Sequence, residues 1–266
     1  MNAKPEEDAE VVSHKILIEI DSAVPQAEAI SFAKRMGEPI GAKLVGCFVE
    51  NQALMDLAEL PFASEVSFSG IVKPLETERL TREWEAQAGQ AKAAFAAAAS
   101  EIGLEWSFDV KRGRPLFAVL ENANREDVLV MNTGNHLTSL NDIRRALHTA
   151  TADVHADVLL TSARRGVGAG DAPLVVLDDM TSQGEFCAHA AEALATRAGM
   201  VCLPVRGADK NLADLAEIVR QMGPSLVVAN AHSKFFEKDG DATAFSMAVG
   251  CPVLLLGSER DLQKSD

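Results

Sequence analysis

Basic residues are scarce in this chain. It has 25 lysines and arginines against 39 aspartates and glutamates, which gives a formal net charge of −14 at pH 7. Nucleic acids are bound through clustered Lys and Arg that neutralise phosphates and release counterions, so an acidic chain repels them. The same field repels anionic lipid. The composition therefore predicts neither a nucleic-acid partner nor a membrane partner.

Cysteines are few and widely spaced, and long apolar runs are missing. None of the four cysteines lies in a CxxC pair or at a Cys/His spacing typical of zinc, so we expect buried thiols in a reducing compartment. The acidic start MNAKPEEDAE lacks the apolar segment of a secretory signal, and no apolar run approaches the ~20 residues of a membrane span. These absences predict a cytoplasmic protein. The cysteines are Cys47, Cys187, Cys202 and Cys251.

Motifs that mark common enzymes are also missing. The sequence contains no GxSxG, no GxxxxGK[ST], no GxGxxG and no HxGH, and its six histidines show no HExxH spacing. We therefore predict no enzyme, no catalytic residues and no metal site.

Short apolar strands alternate with amphipathic helices along most of the chain. The longest helix is predicted over residues 76–102, where apolar residues recur at spacings of three, four and seven. Before it, residues 51–72 form an apolar connection interrupted by Pro61 and Gly70. Such a connection is either a lid or interface segment or a packed surface excursion.

The chain divides into two halves that repeat one plan. DVKRG, a helix and DVLVMNTG in the first half correspond to LPVRG, a helix and SLVVANAH in the second, which lacks one helix–strand unit. The alternation predicts an α/β fold of two tandem open, mostly parallel sheets with helices on both faces. The predicted boundaries are a disordered arm over 1–12, a first domain over 13–164, a glycine-rich linker over 165–171, a shorter second domain over 172–260 and a tail over 261–266.

The first half resembles a universal stress protein domain. KILIEIDSA, KLVGCFVE and RGRPLFAVLENANREDVLVMN carry the resemblance, which spans about Lys15 to Ala163, and CPVLLLG in the second half is similar to the family's closing strand. The resemblance implies an adenine-nucleotide α-hydrolase-like (HUP-type), Rossmann-like fold that is often dimeric through its last strands. It also implies a family in which some members bind ATP and others do not.

The phosphate motif of the ATP-binding members is mostly replaced here. Those members carry G-x2-G-x9-G-[S/T] after the fourth strand, where glycines let the backbone approach the phosphates. Gly134 matches the first position, but the second is Leu137 and the final pair is Leu147–His148. The matching turn of the second half, residues 230–233, reads Asn-Ala-His-Ser. We therefore expect a retained fold with a lost or altered ATP phosphate site.

The candidate ligand site lies where the strands of the first half end. The resemblance implies that Asp21 contacts the adenine or ribose side of a nucleotide, while Arg112 and Arg114 are basic residues beside the crevice. Asn132 stands where the family usually has glycine. The candidate ligand-binding residues are Asp21, Ser22, Val49, Arg112, Gly113, Arg114, Asn132, Thr133, Gly134, His136, Leu147 and His148.

Several of these residue types have a plain structural reading as well. Carboxylates end the first strand of each half, at Asp21 and at Asp178–Asp179, and they suit either Mg²⁺ and proton transfer or the capping of the following turn. Capping is the favoured reading. His136 and His232 follow matching turns in the two halves. They are either site residues or exposed loop residues.

The function predicted from the sequence is a non-catalytic, universal-stress-protein-like role in a stress response, through a protein partner or a small ligand. The halves are predicted to pair as an internal pseudo-dimer through the closing strands ADVLLTS and CPVLLLG, whose apolar edges need cover, and a homodimer is a further option. No cofactor is expected. The alternatives are an ATP- or AMP-binding regulator that uses Asp21, Val49 and Gly134, and an enzyme of the first-half crevice that uses Asp21 or His136.

Overall fold

Strands alternate with helices along most of the chain, as the sequence periodicity predicts. The computed structural model describes residues 14–20, 27–37, 41–67, 69–133, 139–161, 172–207, 210–238 and 240–257. The first half contains β1 (Lys15–Ile20), α1 (Ala27–Phe32, extended by a π-helical turn over Ala33–Gly37), β2 (Lys43–Asn51), α2 (Gln52–Ala58), β3 (Ser64–Val66), β4 (Val72–Pro74), α3 (Thr77–Ile102), β5 (Trp106–Gly113), α4 (Phe117–Leu120), β6 (Val128–Asn132), α5 (Leu140–His148, extended by a π-helical turn over Thr149–Asp153) and β7 (Asp157–Thr161). The second half contains β8 (Leu174–Asp178), α6 (Ser182–Arg197), β9 (Cys202–Arg206), α7 (Leu212–Met222), β10 (Leu226–Asn230), a 3₁₀ turn (Lys234–Phe236), α8 (Asp241–Val249) and β11 (Val253–Leu256).

The two halves share one sheet, which corrects the expectation of two tandem sheets. Nine strands lie in the order β5-β2-β1-β6-β7-β11-β10-β8-β9. Within this sheet, every pairing inside a half is parallel, and the pairing of β7 with β11 between the halves is antiparallel. The parallel pairings agree with the predicted mostly parallel α/β fold. Because β7 and β11 are the apolar closing strands of the halves, their pairing removes two bare edges and makes the sheet continuous.

Alternating side chains along each strand produce a core on both faces of the sheet. Ile16 and Ile18 of β1 belong to a core cluster that also contains residues of α1, α3 and α6, whereas Leu17 between them belongs to a second cluster with residues of α4, α5, α7 and α8. Strands buried on both faces are apolar at almost every position, as in β6 and β10. Helix cover on two faces therefore follows from the apolar strand sequences.

Helical spacing identifies the long helix correctly. The 26-residue α3 ends at Gly103, which has the positive φ of 74° that a helix C-terminus commonly uses. By contrast, the apolar residues from Leu116 to Ala123, which suggest a helix of two turns, form only the four-residue α4. Leu116 itself has a φ of 64°, so the backbone cannot continue the helix in the N-terminal direction.

The connection before α3 contains its own secondary structure. It forms α2 and then an antiparallel hairpin of β3 and β4, which is separate from the nine-stranded sheet. Among the described residues, no helix combines the length and the apolar character that a bilayer span requires.

Candidate functional site

Each half reverses its strand order beside its first strand. In the first half β1 lies between β2 and β6, and in the second half β8 lies between β9 and β10. Open α/β sheets bind ligands at the carboxyl ends of the strands at such a reversal. The fold therefore provides two crevices, one at the ends of β1 and β6 and one at the ends of β8 and β10.

The carboxyl ends of β2 and β5 bring three of the predicted site residues together. Val49 and Gly113 lie on these paired strands, and Arg112 is the register partner of Glu50. Arg112 Nε and Nη2 donate to Glu50 Oε2 at 3.0 and 2.8 Å, and the Glu50 side chain is 13% exposed. The Arg112 guanidinium is therefore already paired with a carboxylate.

Arg114, the second predicted arginine, fixes the start of α5. Its Nη2 donates to Asp142 Oδ1 at 2.5 Å, and its guanidinium carbon lies 4.9 Å from the centre of the Phe117 ring. Asp142 also accepts a hydrogen bond from Ser139 Oγ, and Ser139 caps α5 by accepting one from the Asp142 amide. Both arginines thus form ion pairs at the edge of the first crevice.

The end of β6 is tied to β7. The amide and Oγ1 of Thr133 both donate to the Thr161 carbonyl at 2.8 Å, and Asn132 is the register partner of Thr161. The Thr133 hydroxyl therefore supports the strand pairing. The other residues predicted for this crevice lie outside the described residues; they are Asp21, Ser22, Gly134 and His136. The alternative of an enzyme that transfers protons through Asp21 or His136 therefore also depends on residues outside the described ones.

Leu147 and His148 lie at the end of α5, where they line a cleft toward the second half. The cleft has a volume of about 580 Å³. Its walls are the last turns of α5, the residues after β8, the turn after β10 and the start of α8. This position coincides with the second crevice, at the carboxyl ends of β8 and β10. Two of the residues predicted for the first-half site thus lie beside the second half.

Asp179, directly after β8, is held at the base of this cleft. It is 2% exposed, and its Oδ1 accepts hydrogen bonds from the Thr181 hydroxyl at 2.5 Å and the Thr181 amide at 3.1 Å. Burial alone raises the pKa of the Asp179 carboxyl, but hydrogen bonds from Thr181 and Ser233 and the charge of Lys234 outweigh it and lower that pKa below its ordinary value. Asp179 is therefore a carboxylate that joins the start of α6 to the turn after β10.

The neighbouring helix start makes room for this carboxylate. Thr181 caps α6 by accepting a hydrogen bond from the Gly184 amide at 3.0 Å. A Cβ atom on Gly184 would overlap Asp179 Oδ1. The close approach of Asp179 to α6 thus requires glycine at position 184. Asp178, the other carboxylate at the end of β8, accepts a hydrogen bond at its Oδ1 from the Met180 amide at 2.9 Å. Both contacts are those of capping residues.

Asn230 organises the turn after β10 with its side chain. Its Oδ1 accepts from the His232 amide at 2.9 Å, and its Nδ2 donates to Gln183 Oε1 at 3.3 Å. Among the described residues, positive φ angles outside glycine occur only at Leu116, His155 and Met180. Asn230 therefore shapes this turn through its side-chain hydrogen bonds and without a left-handed backbone.

The lining of the cleft carries more positive than negative charge. Arg144, Lys234 and Lys238 line it, and none of them forms an ion pair with another described residue. The carboxylates of the lining are Asp179 and Glu237, and Asp179 is engaged in its cap. On a chain of net charge −14, this lining is a local excess of cations over carboxylates.

The sequence gives little reason to single out Lys234 and Lys238. Both follow the turn after β10, within a segment, Ser233–Lys238, that also holds two phenylalanines and a glutamate. The signal that identifies them is a pair of lysines close to a strand end of an acidic chain. Only the packing of α5 against the second half shows that Arg144 joins them.

Three of the four cysteines have thiol pKa values above the ordinary value, so they are not activated nucleophiles. Burial raises the pKa of the Cys47 thiol to about 11 and that of Cys187 to about 12, and it also raises the pKa of Cys202. In the part of the chain that the structure describes, no three His, Cys, Asp or Glu side chains are grouped so that they could hold a metal ion.

Comparisons with known proteins identify the fold. No protein-family model matches the sequence, and no curated protein matches it. Among solved structures, a universal stress protein from Archaeoglobus fulgidus DSM 4304 superposes with a TM-score of 0.60 at 11% identity, over 93% of this chain and 97% of that one. A functionally unknown protein from Pseudomonas aeruginosa PAO1 gives a TM-score of 0.54 at 11% identity, covering 92% of both chains. The cytoplasmic domain of a prokaryotic cation chloride cotransporter gives 0.51 at 12% identity, over 91% of this chain and 95% of that one. This chain therefore has an α/β fold similar to that of a universal stress protein along nearly its whole length.

Proposed function

We propose that the protein is a non-catalytic, universal-stress-protein-like regulator of the cytoplasm, which acts in a stress response by holding a small anionic ligand between its two halves. The observation that carries this proposal is the cleft of about 580 Å³ with three unpaired cations in its lining. Similarity of fold supports the stress-protein-like part, and the ligand is argued from the cleft itself.

The size and charge of the cleft fit a phosphorylated or carboxylated metabolite. Small-molecule sites commonly have volumes of about 300–1,000 Å³. Arg144 and two lysines supply strong donors for oxyanions, and the partly buried Leu147 and Phe236 supply an apolar wall. None of these cations forms an ion pair with another described residue, so a ligand anion does not have to displace one.

The altered motif supports a ligand other than a triphosphate held in the usual way. Leu147 is partly buried against the apolar cluster on this face of the sheet, where the resemblance places a motif glycine. A leucine adds bulk where the phosphate cradle needs bare backbone. Arg112 and Arg114, which flank the first crevice, are paired with Glu50 and Asp142.

A second candidate is an adenine-nucleotide regulator that binds AMP or ATP. The observation that favours it is the position of the cleft at the strand-order reversal of the second half, where doubly wound sheets bind nucleotides. In this candidate the cations contact the phosphates and the apolar wall contacts the base.

The first experiment separates these candidates. Purified protein is denatured, the released small molecules are identified by chromatography and mass spectrometry, and ATP, AMP and inorganic phosphate are titrated against the folded protein by calorimetry. We expect phosphate or a non-nucleotide anion to bind and no nucleotide to be hydrolysed. Tight stoichiometric ATP or AMP would favour the second candidate, and measurable turnover would contradict a non-catalytic role.

A charge reversal tests whether the binding uses this cleft. Arg144→Glu should weaken binding of the anion by about 10–100-fold, because a hydrogen bond to a charged group contributes about 1.5–3 kcal/mol. Arg82→Glu is the matched control, since Arg82 is exposed on α3 and has no ion pair within the described part of the chain. Equal effects of the two variants would show that only the overall charge matters, and the cleft would then not be the site.

A further inference from the structure

A second cavity lies on one face of the sheet in the first half. It has a volume of about 210 Å³ and shares no lining residue with the cleft between the halves. Its walls come from β1, β2, β5 and α4 with the turn after it. We call it the sheet-face cavity. Because it is a separate place in the fold, a ligand bound there does not depend on the function proposed for the cleft.

The sheet-face cavity lies where α4 is short. In the second half, α7 takes the matching place in the repeat, with eleven residues against the four of α4. An added Cβ on Gly207, directly after β9, would lie 3.1 Å from Leu215 of α7, so α7 packs closely at the end of that strand. Among the described residues, the four-residue α4 leaves the cavity open over β1, β2 and β5.

The floor of the cavity is apolar and buried. Leu17 of β1 and Val45 of β2 are register partners, Cys47 follows on the same face of β2, and Val119 of α4 closes one side. All four residues are at most 8% exposed. Small-molecule sites commonly combine such an apolar lining with a few polar groups that fix the orientation of the ligand. A ligand of this cavity therefore needs an apolar part.

Two charged residues of β5 lie beside this floor. Asp109 and Lys111 are two positions apart on the strand, so their side chains leave the same face of β5, with Cα atoms about 6.5 Å apart. Asp109 is the register partner of Cys47. Burial raises the pKa of the Cys47 thiol to about 11, the charge of Lys111 lowers it and the charge of Asp109 raises it. Both charges therefore act on the floor of the cavity.

Neither charge is neutralised within the described part of the chain. Asp109 and Lys111 form no ion pair there, either with each other or with another residue. Lys111 Nζ donates to the Ala118 carbonyl at 2.7 Å, which leaves two of its three ammonium hydrogens for a ligand. The hydrogen bond also holds the ammonium group beside α4.

The other cations of the lining are already matched by carboxylates. Lys15 pairs with Asp127 at 3.8 Å, and Lys43 pairs with Glu105 at 2.8 Å. Among the described residues, a ligand therefore meets one ammonium group and one carboxylate without an ion-pair partner, both on β5. A ligand with a charge of each sign matches this pair better than a simple anion does.

We propose that the sheet-face cavity binds a small zwitterionic amino acid with an apolar side chain. Lys111 contacts the carboxylate of the ligand, Asp109 contacts its ammonium group, and the apolar floor contacts its side chain. An α-amino acid carries both charges on one carbon, which suits two opposite charges on neighbouring positions of one strand face. A cavity of about 150 Å³ holds benzene, with six heavy atoms. By the same ratio, about 210 Å³ holds roughly eight or nine, and leucine has nine.

Calorimetric titration of the full chain with leucine tests the proposal. We expect a dissociation constant of about 0.05–1 mM, as for an efficient ligand of this size. Two analogues each lack one charge: 4-methylpentanoate has no ammonium group, and 3-methylbutylamine has no carboxylate. Each should bind at least ~10-fold more weakly than leucine, because one charge-assisted hydrogen bond is lost. Glycine, which lacks the apolar part, should also bind at least ~10-fold more weakly.

Substitutions that remove one charge locate the site. Asp109→Asn and Lys111→Met should each weaken leucine binding by at least ~10-fold, and circular dichroism checks that the variants are folded. Lys92→Met is the matched control, since Lys92 is exposed on α3, whose buried residues belong to the core cluster of the opposite sheet face. It should leave leucine binding unchanged.

Four outcomes would overturn the proposal. The first is no binding of leucine up to about 10 mM, and the second is equal binding of leucine and 4-methylpentanoate, which would make the cavity a simple carboxylate site. The third is binding that persists unchanged in both folded variants of β5. The fourth is binding that is lost in Arg144→Glu and retained in Asp109→Asn, because leucine would then occupy the cleft between the halves.

Discussion

Replacing Gly184 with alanine should destabilise the protein, although alanine is normally preferred inside a helix. Gly184 lies in the first turn of α6, where a Cβ atom would overlap Asp179 Oδ1. The carboxylate of Asp179 would have to leave its contacts with Thr181, or the start of α6 would have to move. Either response opens the contact that joins β8, α6 and the turn after β10.

The size of the effect follows from opposing contributions. A glycine-to-alanine change gains up to about 1 kcal/mol in a helix interior and less at its start. Overpacking costs about 1–3 kcal/mol, and the loss of hydrogen bonds to a charged carboxylate costs about 1.5–3 kcal/mol. Because relaxation recovers part of these costs, we expect a net loss of about 2–4 kcal/mol. For a chain of this size, that corresponds to a decrease in Tm of roughly 4–7 °C.

Urea and thermal denaturation followed by circular dichroism measure this change. The control is Gly89→Ala, at an exposed position inside α3 where an added Cβ meets nothing within 4 Å, and it should stabilise the protein by about 0.4–1 kcal/mol. In a double-mutant cycle, Asp179→Ala should cost less in the Gly184→Ala protein than in the unmodified one. Gly184→Ala with stability equal to or above that of the unmodified protein would refute the reasoning.

Other predictions follow from the charged and thiol groups. The pKa of the Asp179 carboxyl is lowered in the folded protein, so the carboxylate contributes its full stability above the ordinary pKa of 3.8, and this contribution is lost as the pH falls below that value. The loss of stability caused by Asp179→Asn, measured by urea titration, should therefore be constant between pH 5 and 7 and shrink below about pH 4. Cys47 and Cys187 should resist a thiol reagent at pH 8 in the folded protein and react after denaturation, because burial raises the pKa of both thiols; rapid labelling of either one in the folded state, located by mass spectrometry, would contradict the burial argument. Glu50→Gln removes the partner of Arg112, whose side chain is 47% exposed, so the free energy of unfolding should fall by only about 0.2–1 kcal/mol; a loss above about 2 kcal/mol would show that this pair behaves as a buried one.

Much of the fold follows from the sequence because its signals are local. Period-two and continuous apolar patterns identify the strands, and helical spacing identifies α3, α6 and α7. The second half lacks one helix–strand unit, as the repeat predicts, and β9 takes the place beside β8 that β2 takes beside β1. These elements are predictable because each buries an apolar face on a sheet that is covered on both sides.

The segment before α3 was less predictable. Its apolar residues suggest burial, but in α2 and the hairpin several of them are exposed, and the polar Glu65 faces the body instead. Composition alone cannot show which face of a short hairpin is turned inward. That orientation depends on Arg79, which a helical turn of α3 brings beside the hairpin.

The sequence by itself determined the alternation of strands and helices and the repeat of that plan, since each element depends on residues close together in the chain. Only the tertiary structure decided that the halves share one sheet, because the antiparallel contact of β7 with β11 joins residues almost a hundred positions apart. The same contact brings α5 beside the turn after β10, so that Leu147 and His148 line a cleft with Lys234 and Lys238. A cleft formed by two halves has no continuous sequence motif, because its charges converge only when the sheet is complete.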